Sequence, residues 1–161
     1  MKRSTISIFL ATLAQITYAN FDIYIIYLRS PYISGILTRY AIFAVDPDCD
    51  DVRAAHEYMS RNDVSGTKFG VRCEGNGCEG NHNPGDVKVM EMHFSNHPLY
   101  HWTIYSNSAY SLFGTDGKKY GDCIVFSGYS FRCATEGMET SGYRKFRCLT
   151  SFTPDQIQGG R

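Results

Sequence analysis

The sequence predicts a small α+β protein: one short helix packed on a twisted antiparallel β-sheet and stapled by disulfides. Three observations predict it. Beyond residue 66 the chain is a series of short alternating or aromatic-rich runs, separated by clusters of Gly, Asn, Ser and Pro, as antiparallel strands are. One stretch ahead of them, 51–62, carries helical periodicity. Six cysteines in 161 residues fit a disulfide framework better than zinc or thiol chemistry.

Residues 1–19, "MKRSTISIFLATLAQITYA", have the layout of a secretory signal peptide: Lys2 and Arg3, an apolar run over 6–16, and small residues before a cleavage point after Ala19. The apolar run is too short to span a bilayer. Two of the 16 basic residues and none of the 16 acidic ones lie in this leader, so the remainder carries 14 against 16, about −2. That balance argues against a protein held to polyanions by bulk charge. The extension 20–45 is apolar again, but Asp22, Arg29, Pro31 and Arg39 interrupt it. Charges of that kind are costly in a membrane, so strands are expected there and no membrane partner.

The main domain is expected over 46–150. Asp46-Pro47-Asp48 is turn chemistry, and Asp50 or Asp51 can cap the helix of "DVRAAHEYMSRN", with Val52, Ala55 and Met59 on one face and an end near Asn62. Strands follow at 67–73, 86–94, 99–106, 123–128, 129–134 and 143–149. In 86–94 the alternation is clean, Val87, Val89, Glu91 and His93 against Lys88, Met90, Met92 and Phe94. The tail 151–161 is polar and expected to be loose.

Six cysteines permit 15 pairings in principle. A hairpin turning on Gly128 would set Cys123 opposite Cys133, Cys73 and Cys78 flank a Gly-rich loop they could close, and Cys49 with Cys148 remains. His93, His97 and His101 are spaced by four, but Pro98 breaks any helix that would align them, so no metal site is expected. "CEGNGCEGN" lacks the lysine and flanking elements of a phosphate loop. No cofactor is implied.

One ordered set of motifs spans 49–148: the cysteine and "DVRAAHEYM" helix, then "PLYHWTI", "GDCIVF", "ATEG" and a closing "FRC". In order and spacing it resembles the small secreted guanyl-specific ribonucleases of fungi. That resemblance implies the microbial ribonuclease fold, a helix across a sheet whose concave face binds RNA, and an early cysteine bridged to a late one. Where that family keeps its base, its arginine and its acid, this chain has His101, Cys123 and Thr135. A base without an acid or a phosphoryl-stabilising cation contributes little. Val52-Arg53-Ala54-Ala55 and the leader further resemble the ribonuclease-like secreted effectors of powdery mildew fungi.

The resemblance implies a catalytically inactive, secreted virulence or avirulence protein, acting outside the host cell or translocated into it, with host plant proteins (an immune receptor among them) or host RNA as partners. Exposed Tyr105, Tyr110, Tyr120 and Tyr129 could stack bases, and Lys118, Lys119, Arg144 and Lys145 could meet phosphates. The alternatives are a ribonuclease using His101 as base, and an extracellular disulfide-rich toxin or inhibitor.

Overall fold

A computed structural model describes residues 19–32, 34–135 and 137–159, so the leader lies outside the described residues except for Ala19. The chain runs β1 (Ala19–Arg29), β2 (Leu37–Phe43), α1 (Cys49–Ala54), β3 (Tyr58–Met59), β4 (Gly70–Gly75), β5 (Val87–His93), β6 (His101–Tyr105), β7 (Ser111–Gly114), β8 (Lys119–Val125), β9 (Ser130–Thr135), β10 (Met138–Thr150) and α2 (Pro154–Gly159). Among the described residues the strands form a ten-stranded sheet in the order β3-β2-β1-β10-β8-β7-β6-β5-β4, with β9 also on β10. All its ladders are antiparallel. The sheet curls until its two ends meet: Ser60 bridges Val71 in parallel, and the Arg61 N–H donates to the Val71 carbonyl at 3.0 Å. The result is a nearly closed barrel, which leaves little of either edge open.

The alternation read from the sequence places the core. Phe21, Ile23 and Ile25 of β1, Met90 and Met92 of β5, and Trp102 and Ile104 of β6 all point into the curl. Phe21, Phe94, Tyr100 and Phe152 ring Trp102 at centroid distances of 5.6 to 6.2 Å from it. A second cluster lies outside the curl: Tyr24, Ile26, Ala41, Phe43 and Val52, under α1 and the Phe131 ring of β9. β1 is therefore buried on both faces. The extension folds as two strands, and one of them sits between β2 and β10 in the middle of the sheet rather than beside a separate 46–150 unit.

Four expectations are corrected. The helix ends at Ala54, not near Asn62, because Ala55 turns extended and Tyr58 is drawn into the core beside Phe94 (4.6 Å), leaving Met59 outside. Its cap is Asp48, whose side chain accepts from the Asp50 and Asp51 N–H groups (2.8 and 2.9 Å), while Asp51 returns the bond as the partner in a capping box. The tail is docked: Ile157 of α2 is wholly buried and the Phe152 ring stacks on Trp102. The helix does not cross an open sheet with a free concave face; that face is the filled core, and α1 covers the outer side of β1 and β2.

The fourth correction concerns the disulfides. Cys73–Cys78 forms as expected, but the others are Cys49–Cys133 and Cys123–Cys148, so neither Cys49–Cys148 nor Cys123–Cys133 exists. The turn is not at Gly128. β8 runs on through 126–129 into β9 along the same edge of β10, and the hairpin closes between Thr135 and Met138, where Gly137 takes φ +82°. Cys123 and Cys133 thus lie along one line of chain and cannot face each other. Cys148 is the residue opposite Cys123 in the ladder, with Cα atoms 3.9 Å apart.

Candidate functional site

The outer face of β4, β5 and β6 carries the residues that the inner alternation excludes. With Met90, Met92 and Trp102 inside, Glu91, His93 and His101 must point outward, and Arg72 of β4 joins them. Register brings them together, because Arg72 pairs with Glu91, His93 with His101, and Met92 with Trp102. Arg72 Nε donates to Glu91 Oε2 at 2.9 Å, and a second ion pair joins Arg72 to Glu74. His101 Nε2 donates to Glu91 Oε1 at 2.9 Å. The His93 and His101 rings stack nearly parallel, 4.3 Å between centroids. His93 Nδ1 donates to the Val64 carbonyl at 2.9 Å, and Phe69 meets its ring edge-on at 5.0 Å.

Partial burial pushes the Glu91 carboxyl up, but the hydrogen bonds from His101 and Arg72 and their charges outweigh it and hold the group below its ordinary value. Arg72 is raised, first by its bond to Glu91. A carboxylate that fixes one imidazole nitrogen leaves the other, His101 Nδ1, as the acceptor of the neutral ring. Chemically this is a base with an orienting partner.

The structure brings His101 together with Glu91 and Arg72, which the sequence did not group with it, and with His93, which shares its four-residue spacing but was not expected to converge with it. A signal existed in the alternation, which puts Glu91 and His93 on one face, but the β5–β6 register was needed to join that face to His101. Of the three spaced histidines, His93 and His101 meet, whereas His97 caps the turn, its Nδ1 accepting from Leu99 N–H at 3.3 Å. Among the described residues no cluster of three or more His, Cys, Asp or Glu side chains is placed to hold a metal ion.

The other two positions implied by the resemblance do not converge with His101. Cys123 faces the core, 2 % exposed, and Thr135 is the last residue of β9. The expected RNA or partner surface does not assemble either. Lys145 and Arg144 are buried, Lys145 donating to the carbonyls of Glu79 and His82 and Arg144 pairing with Asp22 and Asp46. Lys118 pairs with Asp116 and Lys119 with Asp122. The hydroxyls of Tyr110, Tyr120 and Tyr129 donate to the Gly85 and Val87 carbonyls, to Asp116 and to the Pro47 carbonyl. Tyr105 alone of the eight is an open aromatic face, 39 % exposed.

Compared with known proteins, the chain matches no family model, no curated protein and no solved structure.

Proposed function

We propose that the chain is a secreted, catalytically inactive ribonuclease-like effector that acts by binding a host plant protein, an immune receptor being one such partner. The observation that carries this reading is Cys123. At the position where the resembling enzymes keep their phosphoryl-binding arginine, this chain has a buried cysteine bonded to Cys148 inside the core, a place no cation could reach substrate from. Three disulfides are compatible with an oxidising extracellular compartment. The scattered lysines and tyrosines, all but Tyr105 tied to a partner within the protein, favour a protein over RNA as the ligand. The test has two arms. Oxidised protein lacking the leader is incubated with dinucleoside phosphates and ribosomal RNA, and the chain is expressed in leaf cells of a panel of plant genotypes. Expected is no cleavage above buffer, and a genotype-dependent cell-death or susceptibility response that His101→Ala retains. RNA cleavage that disappears in His101→Ala overturns the reading.

One observation favours a second reading, a ribonuclease with His101 as base: Glu91 and Arg72 hold that ring in a defined orientation. In that case Glu91→Gln lowers the cleavage rate about 10- to 100-fold through loss of orientation and charge, and the pH profile shifts with it.

A further inference from the structure

The segment between β4 and β5 reaches across the barrel to β1 and β10 as an arm that buries little of itself. Of residues 76–86 only Gly77 and Pro84 are buried, while Asn81, His82 and Asn83 stand in solvent. Cavities of about 270 and 240 Å³ flank the arm. Gly80, Asn81, His82 and Tyr143 line both, so the arm is the wall between them. A segment with so few buried apolar contacts opens at low cost once its tethers are released.

Three tethers hold the arm down. Lys145 Nζ donates to the Glu79 and His82 carbonyls, Gly80 N–H donates to the Tyr27 hydroxyl, and Cys78 is bonded to Cys73 on β4. The Lys145 tether is a weak one. Its ammonium is buried against carbonyls with no carboxylate in contact, and burial pushes its pKa down to about 8. Lifting the arm returns that charge to water and so recovers part of what the contact contributes. The disulfide therefore decides whether the arm stays closed.

Cys73–Cys78 is also the bridge most open to reduction. It closes a separation of 5 residues, against 25 and 84 for the others, so its loss costs the fold least. Both its cysteines are half-buried, whereas Cys123, Cys133 and Cys148 are at most 5 % exposed, and an attacking thiolate must reach a sulfur. Cys49 is half-buried too, but its bridge is the one that clips α1 to β9. We propose that Cys73–Cys78 is a redox latch: a thiol of the glutathione class opens it in the folded protein, and the arm then lifts off Lys145. One thiolate attacks a sulfur of the bridge and displaces the other as thiolate. A second thiol resolves the mixed disulfide, leaving Cys73 and Cys78 as thiols and the reductant as its own disulfide. Passage from an oxidising to a thiol-rich compartment throws the latch. The latch stands apart from the His101 cluster and from the partner-binding reading, and neither depends on it.

The test is timed exposure of the oxidised protein to excess reduced glutathione, with free thiols alkylated by iodoacetamide and located by peptide mapping. Cys73 and Cys78 are expected to be alkylated at least about tenfold sooner than the other four cysteines. Protein opened at that bridge alone is then acylated at its amines. Labelling of Lys145 is expected to rise about tenfold over the oxidised protein, while exposed Lys88 and Lys118 label equally in both. The Cys73→Ser, Cys78→Ser protein, which carries no alkyl group, is expected to label at Lys145 in the same way without reductant. If that variant does not fold, the reduced natural chain decides. Opening of Cys49–Cys133 or Cys123–Cys148 before or together with Cys73–Cys78 overturns the proposal. So does Lys145 labelling that stays at the oxidised level once Cys73 and Cys78 are free, which would mean that the arm is held by its other tethers.

Discussion

Lys145 lies 1 % exposed on β10, its ammonium donating to the carbonyls of Glu79 (2.7 Å) and His82 (3.1 Å), while Gly80 N–H donates to the Tyr27 hydroxyl at 2.5 Å and seats the same loop. Burial pushes the Lys145 pKa down to about 8, only partly opposed by the charge of Glu79. The folded value lies below the ordinary 10.5, so between about pH 8 and 10.5 the unfolded chain binds more protons than the native one. Stability at this residue therefore rises with pH through that window, and below pH 8 the cost of the buried charge is present in full. A titration of Lys145 followed by NMR is expected to have its midpoint near pH 8. Melting curves are expected to gain about 2 kcal/mol from pH 7 to 10 relative to Lys145→Met, which lacks the titrating group. A flat difference between the two proteins would contradict the burial argument. Asp22 poses the opposite problem. It is wholly buried and accepts from Arg147 Nε (2.7 Å) and Nη2 (2.8 Å) and from Arg144 Nη1 (3.3 Å), with both guanidinium groups near the Phe126 ring at 4.0 and 4.2 Å. Asp22→Ala leaves Arg147 without its carboxylate and Arg144 with Asp46 as its remaining anion, and is expected to cost about 3 kcal/mol by denaturant unfolding. Asp22→Asn, which keeps one acceptor, costs less.

At the scale of elements, the strands were the most legible part of the sequence, and their connections the least. Alternation in 86–94 sorted Met90, Met92 and Phe94 inward against Glu91 and His93, but it misplaced Val87, which is wholly buried, and Lys88, which is exposed, because the ladder shifts register opposite Val87. Trp102 fell inside because its strand alternates in phase with Met92. Neither fact says which strand is next to which. β8 and β9 look like a hairpin because Gly128 punctuates them, yet both lie end to end along β10, and only long-range pairing reveals it. The same gap hid the polar cluster: Arg72, Glu91 and His101 come from three strands that are neighbours only once the sheet has formed. It also misassigned two disulfides. The observed pairs can be separated by what they close. Cys49–Cys133 closes a chain separation of 84 residues and clips α1 to β9, whereas Cys123–Cys148 spans 25 and joins two strands already paired. In the chain-entropy account the first contributes about 4–5 kcal/mol and the second about 3–4. The Cys123→Ala, Cys148→Ala protein also leaves a void in a packed core, so it is expected to lose at least as much stability as Cys49→Ala, Cys133→Ala. Peptide mapping of the unreduced protein checks the pairing directly. A Cys49–Cys148 peptide would contradict the β8–β9–β10 arrangement itself, because Cys123 and Cys148 are ladder partners in it.

For the whole molecule, the decisive feature is where its two ends go. Among the described residues the chain enters with β1, an interior strand between β2 and β10, and ends with β10, Phe152 and α2, where Phe152 and Ile157 complete the core. Nothing in the local composition of 20–45 or 151–161 distinguishes a strand buried on both faces, or a docked helix, from an appendage. The difference lies in what each segment meets across the molecule. A chain cut to 46–150 lacks Phe21, Ile23, Ile25, Phe152 and Ile157 from the inner core, and β10 loses its partner along the full length from Glu139 to Thr150. Each large apolar side chain contributes about 1.5–3 kcal/mol through burial, so their joint loss, about 8–15 kcal/mol, is as large as the roughly 5–15 kcal/mol by which a domain of this size is stable, and the lost β1 ladder adds to it. That fragment is expected to be unfolded, with collapsed amide dispersion in its NMR spectrum. Truncation after Ser151 is the milder cut, removing Phe152 from Trp102 and Ile157 from the core while keeping every strand. It is expected to fold with several kcal/mol less stability, and to show red-shifted emission because the sole tryptophan, Trp102, loses its stacked cover. Unchanged emission and melting after that truncation would mean that the C-terminal segment is the loose tail its composition suggests; a well-folded 46–150 fragment would mean that β1 is an addition to the sheet and not its centre.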